Sequence, residues 1–393
     1  MNPLLKKLLE ATRLTGSGKL AEATAAIQHA LSGASAPFSQ PVPAASAARR
    51  TTTGDGSVVP DGLVREARAA VTGAPFREPI AEPASAPVGE PAPAATRFEA
   101  SSYTGASGTR RFKLFEPGAA ASGPRPLVVM LHGCTQDPDD FAAGTRMNAL
   151  AEAQGVFVLY PEQAARSNVN RCWNWFVPGD QKRGLGEPAL IAGMTRHVME
   201  AHHIDADRVY VAGLSAGGAM AAILAREYPD LYAAAGVHSG LPAGAAHDVA
   251  SAFGAMKGAS FGLPAGFATT PAAPVSNHGP SAPVIVFHGS ADTTVTPGNG
   301  DAVIAAALAS APGAQRLDRD GGSVAGRRYR QSVWSVPGAA EGAPSVAEQW
   351  TVSGAPHAWS GGASAGSYTD AAGPDASVEM LRFFLAHPRT PHH

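Results

Sequence analysis

The chain has 393 residues, of which 45% are hydrophobic and 16% are charged, and its formal net charge is −2. This length and composition provide for a sizeable hydrophobic core in one or two domains. The charge gives no electrostatic basis for binding nucleic acid or an anionic membrane, and no stretch has the apolar length of a transmembrane helix.

The amino-terminal segment, residues 1–32, carries apolar residues at helical spacing. The pattern predicts an amphipathic helical hairpin that is interrupted at Gly16–Gly18. Charged residues within Met1–Leu14 break the apolar run, which favours a helix over a secretory signal peptide. Because so short a segment buries little surface, we expect it to pack on its own domain or to support self-association with a second copy. Attachment to a polymer or a membrane is the alternative.

Residues 33–96 are dominated by alanine, proline, serine and glycine, as in EPIAEPASAPVGEPAPAA. The segment has too few large apolar side chains to offset the conformational entropy that folding would cost. We therefore predict a mobile linker between the helical segment and the domain that follows.

The remaining region, residues 97–388, has the pattern of a folded α/β domain. Short apolar runs that end at a glycine, a proline or a polar turn are typical of buried parallel strands. Helical patterns lie between them, and this alternation predicts a mostly parallel sheet with helices on both faces. The predicted strands cover residues 126–133, 155–161, 208–213, 232–240, 283–289 and 347–354, and the predicted helices cover residues 147–154, 188–202, 217–228, 301–309 and 375–387.

A serine stands between glycines where a predicted strand turns into a predicted helix, in the sequence GLSAG at residues 213–217. This G-x-S-x-G spacing matches a nucleophile elbow, in which a tight and strained turn exposes the serine hydroxyl above the sheet. Because glycine and serine are also common turn formers, ordinary turn chemistry is the alternative. The strand before the motif and the helix after it favour Ser215 as a nucleophile.

A serine nucleophile needs a base and an orienting carboxylate, which in α/β-hydrolases follow it in the order Ser, Asp, His. Asp292 directly follows the predicted strand 283–289, whereas its competitor Asp301 lies at the start of a helix. Among the 13 histidines, His357 is the one whose position after the last strand and order after the acid both fit. His288 ends a strand but precedes the acid. We therefore predict Asp292 as the acid and His357 as the base.

Acyl transfer also requires two donors that are directed at the oxyanion. One is expected to be the backbone N–H of Ala216, the residue after the nucleophile. The second is expected from the end of an early strand, where His132-Gly133-Cys134 allows the N–H of Cys134 to face the serine. The alternative is that His132 and Gly133 only close the strand.

Aromatic residues are concentrated near the predicted site. Trp173 and Trp175 lie in the loop NRCWNWF, and Trp359 follows His357 by two residues. Clustered aromatic residues usually belong to the core. Their predicted position on loops at the active-site face makes an apolar substrate-binding groove an equal alternative.

The chain has two cysteines, Cys134 and Cys172, which are too few for a disulfide scaffold or a four-thiolate metal site. They are either two buried thiols or one disulfide bridge, which would hold the aromatic loop beside the oxyanion strand end. There is no zinc motif, dense carboxylate cluster or phosphate-binding loop. We therefore predict that the protein uses no metal and no cofactor.

Six segments, taken together, resemble one known family. They are LHGCTQ, RCWNWF, GEPALIAGM, DRVYVAGLSAGGAMA, HGSADTTV and PHAWSGG, which occur in this order between about Phe112 and Phe384. This set is similar to the poly(3-hydroxybutyrate) depolymerase family of esterases, whose wider group includes feruloyl and acetylxylan esterases. The resemblance implies an α/β-hydrolase fold, hydrolysis of carboxylic esters, and Ser215, Asp292 and His357 as the catalytic triad.

The resemblance also implies a substrate, poly(3-hydroxybutyrate) or its oligomers, with acyl or feruloyl esters on polysaccharide as the alternative. A third hypothesis, from another class, is a polyester-granule-binding protein on a hydrolase scaffold, attached through residues 4–14. Extracellular members of the family generally carry a signal peptide. Because the start of this chain is predicted to be an amphipathic helix, a cytoplasmic location stands beside the extracellular one.

Overall fold

The computed structural model describes residues 96–118, 123–258, 281–338 and 343–389. The predicted helical segment, including the residues to which granule attachment was assigned, and the linker up to residue 95 lie outside this part of the chain. Of residues 97–388, which were predicted to form the folded domain, the structure describes 97–118, 123–258, 281–338 and 343–388.

Twelve strands are found in the described residues. Their bounds are β1 Arg97–Gly105, β2 Gly108–Glu116, β3 Arg125–Leu131, β4 Phe157–Pro161, β5 Ile204–Leu214, β6 Ala234–His238, β7 Val284–Gly289, β8 Gln315–Gly322, β9 Arg328–Ser335, β10 Ala347–Val352, β11 Trp359–Ser360 and β12 Thr369–Asp370. Ten of them form one sheet in the order β1-β2-β4-β3-β5-β6-β7-β10-β9-β8. The six strands from β4 to β10 in this order are parallel, and the hairpins β1–β2 and β8–β9 extend the sheet in antiparallel fashion at its edges.

Seven α-helices are found in the same residues. Their bounds are α1 Pro138–Thr145, α2 Met147–Gln154, α3 Gly186–Ala201, α4 Ala216–Glu227, α5 Val249–Lys257, α6 Gly298–Leu308 and α7 Ala376–Leu385. Over the described ranges, none of them has both the length and the apolar character that crossing a membrane requires. Nor do those ranges contain a group of three or more histidine, cysteine, aspartate or glutamate residues that is arranged to hold a metal ion.

The residues of β3 show why helices cover both faces of the sheet. Leu127 and Val129 pack into one apolar cluster with residues of α3, α4 and α6. Val128 and Met130 pack into a second cluster with residues of α1, α2 and α7. Because successive side chains of a strand point to opposite faces, a strand that is covered on both sides must be apolar at every position. The layered α/β architecture that was predicted from such runs is confirmed.

The predicted and observed elements agree at the centre of the sheet and differ at its edges. Helix α2 has the predicted bounds, and α7 is capped by Asp375 as expected, since its carboxylate accepts two N–H groups of the first turn. The two edge hairpins and the helices α1 and α5 were not predicted. Seven of the eight residues of β8 are exposed, so that no apolar alternation marks the strand.

The carboxyl ends of the parallel strands meet at one edge of the sheet, where sites form in folds of this kind. The loops that leave β3, β5, β7 and β10 at this edge carry the turn at 132–135, Ser215, Asp292 and His357, respectively, and His238 is the last residue of β6. Because these strands are neighbours in the sheet order, residues that are far apart in the chain are brought to one place.

Candidate active site

Ser215 occupies the turn between β5 and α4. Its backbone has φ 57° and ψ −117°, a conformation that residues other than glycine rarely adopt and that costs free energy. Its N–H donates to the carbonyl oxygen of His238, 2.9 Å away at the end of β6. This strained turn between a strand and a helix has the geometry of a nucleophile elbow.

Two glycines allow helix α4 to cross the end of β3 in direct backbone contact. A Cβ atom on Gly213 would lie 2.7 Å from the carbonyl oxygen of Leu131, and one on Gly217 would lie 2.6 Å from that of His132. Glycine is therefore required by the close approach of two backbones, which is one of its recurrent uses. The glycine spacing of the motif follows from the packing of the helix on the strand.

Gly217→Ala is expected to lower the free energy of unfolding by about 2–3 kcal/mol, because the new methyl group meets backbone oxygens that cannot rotate away. Gly298→Ala is the matched control: Gly298 also lies in the first turn of a helix, but its Cβ would meet nothing within 4 Å. Urea unfolding of the two variants measures the difference. Equal stability of the two variants would contradict the close approach at Gly217.

Asp292 and His357 form a hydrogen-bonded pair. Asp292 Oδ2 lies 2.7 Å from His357 Nδ1, and Asp292 Oδ1 accepts the N–H groups of Thr294 and Val295, each at 2.9 Å. The side chain of Asp292 is completely buried, whereas that of His357 is 12% exposed. Donation from Nδ1 to the carboxylate leaves Nε2 of His357 able to accept a proton, as a catalytic base must.

The surroundings of Asp292 keep it ionised. Burial alone would raise its pKa, but hydrogen bonds from His288 and His357, together with the N–H of Val295, outweigh burial and hold the pKa well below its usual value. Nε2 of His288 lies 2.9 Å from the carbonyl oxygen of Val295 and 3.5 Å from Asp292 Oδ2. An ionised Asp292 favours the charged form of a neighbouring imidazole.

The three predicted triad residues lie at the same edge of the sheet, after β5, β7 and β10. The competitor Asp301 is exposed in α6, where it accepts the side-chain amide of Gln349. In the structure the hydrogen-bonded partner of His357 is therefore Asp292 and not Asp301.

His238 was not identified from the sequence, although it lies next to the elbow. Its carbonyl oxygen receives the N–H of Ser215, and its Nε2 accepts the N–H of Ser360 at 2.9 Å. Its ring stacks on that of Trp359, with 5.0 Å between the ring centroids. Burial is the main cause that lowers its pKa well below the ordinary value, so the ring remains a neutral acceptor. The available sequence signal was a histidine near the end of the predicted strand 232–240.

The predicted oxyanion donors belong to the start of α4 and to the turn after β3. Within the ranges that the structure describes, the backbone N–H groups of Ala216 and Cys134 have no hydrogen-bond acceptor. No described residue therefore competes for either N–H group. The amino end of α4 adds the partial positive charge of a helix terminus at the same place.

The turn after β3 is held by a covalent bond and by a hydrogen bond. Cys134 and Cys172 are joined by a disulfide, with their Cα atoms 4.2 Å apart. Thr135 has a φ of 66° and donates its N–H to the carbonyl oxygen of Asn170 at 2.6 Å. Of the two alternatives for the cysteines, the structure has the bridge.

The three tryptophans considered for an apolar groove are buried, with exposed fractions of 0% for Trp173, 5% for Trp175 and 1% for Trp359. The indole N–H of Trp173 donates to the carbonyl oxygen of His132, and that of Trp359 donates to Ser377 Oγ. The burial of all three rings favours the core alternative, since these loops turn their aromatic side chains inward. A role of the three residues in substrate binding stays a prediction.

A comparison with known families gives one match that spans more than half of the chain. The family model described as Esterase PHB depolymerase matches residues 111–327. The protein belongs to this family. The resemblance inferred from the sequence motifs is thereby confirmed. The part that matches the Esterase PHB depolymerase family includes Cys134, Ser215 and Asp292 and ends before His357.

Curated proteins similar to this family member include three named esterases or depolymerases. Poly(3-hydroxyalkanoate) depolymerase C of Paucimonas lemoignei is 40% identical over 189 residues, which cover 48% of this chain and 45% of that protein. Acetylxylan esterase A of Emericella nidulans is 32% identical over 195 residues, which cover 48% of this chain and 63% of that protein. Feruloyl esterase B of Thermothelomyces thermophilus is 34% identical over 140 residues, which cover 35% of this chain and 47% of that protein. The chain thus spans between 45% and 63% of the length of these relatives.

Among solved structures, acetyl xylan esterase from Aspergillus awamori is similar, with a TM-score of 0.55. The similarity covers 73% of this chain and 99% of that protein, at 21% sequence identity. At this identity the similarity establishes the fold alone. Together with the mostly parallel sheet, it confirms the α/β-hydrolase fold that the family resemblance implied.

Proposed function

We propose that the protein is a serine esterase that hydrolyses carboxylic esters through Ser215, His357 and Asp292. The observation that carries the proposal is the 2.7 Å hydrogen bond between Asp292 Oδ2 and His357 Nδ1, at the sheet edge where the strained elbow presents Ser215. An acid–base pair at the same sheet edge as an elbow serine is the arrangement that acyl transfer uses. Membership of an esterase family supports the same reaction.

In the first half-reaction, Nε2 of His357 takes the hydroxyl proton as Ser215 Oγ attacks the ester carbonyl carbon. Asp292 holds the Nδ1–H tautomer and stabilises the imidazolium that forms. The tetrahedral intermediate then collapses. His357 gives its proton to the departing alkoxide, an alcohol leaves, and the acyl group stays on Ser215 as an ester.

In the second half-reaction, water replaces the alcohol. His357 takes a proton from the water as its oxygen attacks the acyl carbon, and returns the proton to Ser215 when the carboxylic acid leaves. In both steps the N–H groups of Ala216 and Cys134 donate to the negative oxygen of the intermediate. Each such donor typically contributes about 3–4 kcal/mol of transition-state stabilisation.

The substrate class that we propose is poly(3-hydroxybutyrate) or its oligomers. The support for this choice is the family match and the 40% identity to a protein named as a poly(3-hydroxyalkanoate) depolymerase. The second candidate is an acetyl or feruloyl ester on polysaccharide. It is favoured by relatives that are named as acetylxylan and feruloyl esterases, at 32% and 34% identity.

Product release from a panel of esters tests the proposal and ranks the two candidates. The panel contains p-nitrophenyl butyrate, amorphous poly(3-hydroxybutyrate), acetylated xylan and a feruloylated xylan, with Ser215→Ala as the blank. We expect release of hydroxybutyrate units to exceed release of acetate or ferulate. The opposite order would assign the chain to polysaccharide esters. Hydrolysis that persists in a folded Ser215→Ala variant would overturn the proposed mechanism.

A further inference from the structure

Glu187 is a buried carboxylate that the triad does not use. It is the second residue of α3, lies in the segment GEPALIAGM and is 4% exposed. Its Oε2 accepts the backbone N–H of Asn174 at 2.7 Å, and its Oε1 accepts the side-chain amide of Asn174 at 3.0 Å. The side chain of Gln163 also donates to Oε1, and an Arg110 nitrogen lies 3.5 Å from the same atom. One carboxylate thus accepts three N–H donors and faces one guanidinium.

These donors connect Glu187 to the loop of residues 168–176, which contains the aromatic motif and Cys172. The second N–H of the Gln163 side-chain amide donates to the carbonyl oxygen of Cys172 at 2.9 Å. The side chain of Asn174 accepts from that of Asn168, at the start of the loop, at 3.0 Å. Glu187 therefore holds both ends of a segment that has no helix or strand of its own.

The same loop contacts the turn after β3, which contains the predicted oxyanion donor Cys134, at three points. The first contact is the disulfide between Cys172 and Cys134. In the second, the N–H of Thr135 donates to the carbonyl oxygen of Asn170 at 2.6 Å. In the third, the indole N–H of Trp173 donates to the carbonyl oxygen of His132 at 3.1 Å. A displacement of the loop is therefore transmitted to the turn.

A second route from Glu187 to the turn runs through Gln163. The backbone N–H of Gln163 donates to His132 Nε2 at 3.1 Å, and His132 Nδ1 lies 2.8 Å from the carbonyl oxygen of Gly133. Burial lowers the pKa of His132 to about 4, so the ring is neutral, with its proton on Nδ1 and donated to Gly133. The route through the loop ends at His132, Cys134 and Thr135, and the route through Gln163 ends at His132 and Gly133. Both routes therefore act on the turn that carries Cys134.

We infer that Glu187 is a positioning residue for the oxyanion hole, because it holds the loop 168–176 and Gln163, which together fix the turn that presents the N–H of Cys134. The inference rests on the proposed esterase function. Glu187 itself is not expected to touch the substrate. Such supporting contacts hold a catalytic group within a fraction of an ångström of its working position.

Glu187→Gln tests the inference at nearly constant volume. The new NH₂ group would face N–H donors, so that at least one hydrogen bond to the loop is lost. Oxyanion hydrogen bonds strengthen in the transition state, and their weakening therefore lowers kcat with little change in KM. Removing such a donor outright costs about 10²–10³ in kcat. For a displaced donor we expect kcat to fall by about 10- to 50-fold, with KM changed by less than about twofold.

Glu348→Gln is the matched control. Glu348 is also 4% exposed and accepts from an arginine, Arg382, and from a glutamine, Gln331. It is the second residue of β10 and lies near the amino end of the strand, whereas the predicted triad residues follow the carboxyl ends of their strands. We expect its kcat to stay within about twofold of wild type. An equal loss of kcat in the two variants would overturn the inference.

The pH dependence separates a positioning role from a structural one. Burial, and then the charge of Asp180, raise the pKa of Glu187 to about 7, against the hydrogen bonds and Arg110. Above pH 7 residue 187 of the wild type is a carboxylate. Below pH 7 it is a neutral carboxylic acid, which accepts fewer hydrogen bonds. The glutamine variant has this reduced acceptor capacity at every pH. The ratio of wild-type to Glu187→Gln kcat is therefore expected to be large at pH 8 and to fall toward 1 near pH 5.5.

Cys172→Ser supplies a second measurement. If Glu187 acts through the loop, the kcat loss of the Glu187→Gln/Cys172→Ser double variant is smaller than the product of the two single losses.

Glu187→Asp keeps the charge, and its kcat is expected to lie between those of the wild type and Glu187→Gln. It reports on the same contact if the glutamine variant folds poorly. Multiplicative losses, a pH-independent ratio, or an effect on KM alone would overturn the inference. Activity that persists in Ser215→Ala would instead overturn the proposed function.

Discussion

Replacing Ser215 with alanine is expected to lower kcat for ester hydrolysis by about 10⁴- to 10⁶-fold. The change removes the Oγ atom on which the acyl-enzyme forms and leaves His357 and Asp292 in place. Alanine has a Cβ atom, as serine does, so the cost of the turn at φ 57° is unchanged and the fold should be retained. The rate of p-nitrophenyl butyrate hydrolysis at pH 8 measures the loss, and circular dichroism checks the fold.

A fluorophosphonate probe gives a measurement of the nucleophile that does not depend on turnover. Wild-type protein should take up one equivalent at Ser215, and Ser215→Ala should take up none. Ser310→Ala is the control, because Ser310 is an exposed serine just after α6 and its loss should change neither labelling nor kcat. Labelling of a folded Ser215→Ala protein at another serine would assign the nucleophile elsewhere.

The centre of the sheet was predictable because its strands are covered on both faces. In β3 and β7 nearly every position is buried, so the sequence of each strand contains a continuous apolar run. The edge strand β8 is almost entirely exposed, so burial imposes no apolar pattern on its sequence. Its pairing with β9 rests on backbone hydrogen bonds and on cross-strand contacts such as Arg330 with Asp320, for which no apolar pattern is needed.

The predicted triad positions were found by a rule of chain order, because each follows the end of a strand. The contacts that support them follow no such rule. His238 accepts from Ser360, which is 122 residues away in the chain, and Glu187 acts on a loop that precedes its own helix. Such pairs become visible only when the order of the strands in the sheet is known.

Trp359 shows a different limit of sequence reasoning. It lies two residues after His357 in the loop that follows β10, yet its ring packs inward against His238 and Phe141. Loop position alone does not determine which way a side chain points. The same inward packing links the loop that carries the proposed base His357 to His238 at the end of β6.

Asp292→Asn is expected to lower kcat by about 10³- to 10⁴-fold with little change in KM. The N–H groups of Thr294 and Val295 both donate to Oδ1, so the amide oxygen of asparagine would take that position. Its NH₂ group would then face Nδ1 of His357 and favour the tautomer with the proton on Nε2. In that tautomer His357 cannot accept the proton of the serine hydroxyl, and the first half-reaction is blocked.

Asp301→Asn is the matched control, since Asp301 follows the same strand and undergoes the same change of chemistry. Its carboxylate accepts a glutamine amide at 2.7 Å and does not contact the base, so we expect kcat close to wild type. The pair of variants, assayed with p-nitrophenyl butyrate, therefore isolates the hydrogen bond to His357 from the general loss of a carboxylate. Losses of similar size in both variants would contradict the tautomer argument, because only at position 292 does the substitution change which nitrogen of the base carries the proton.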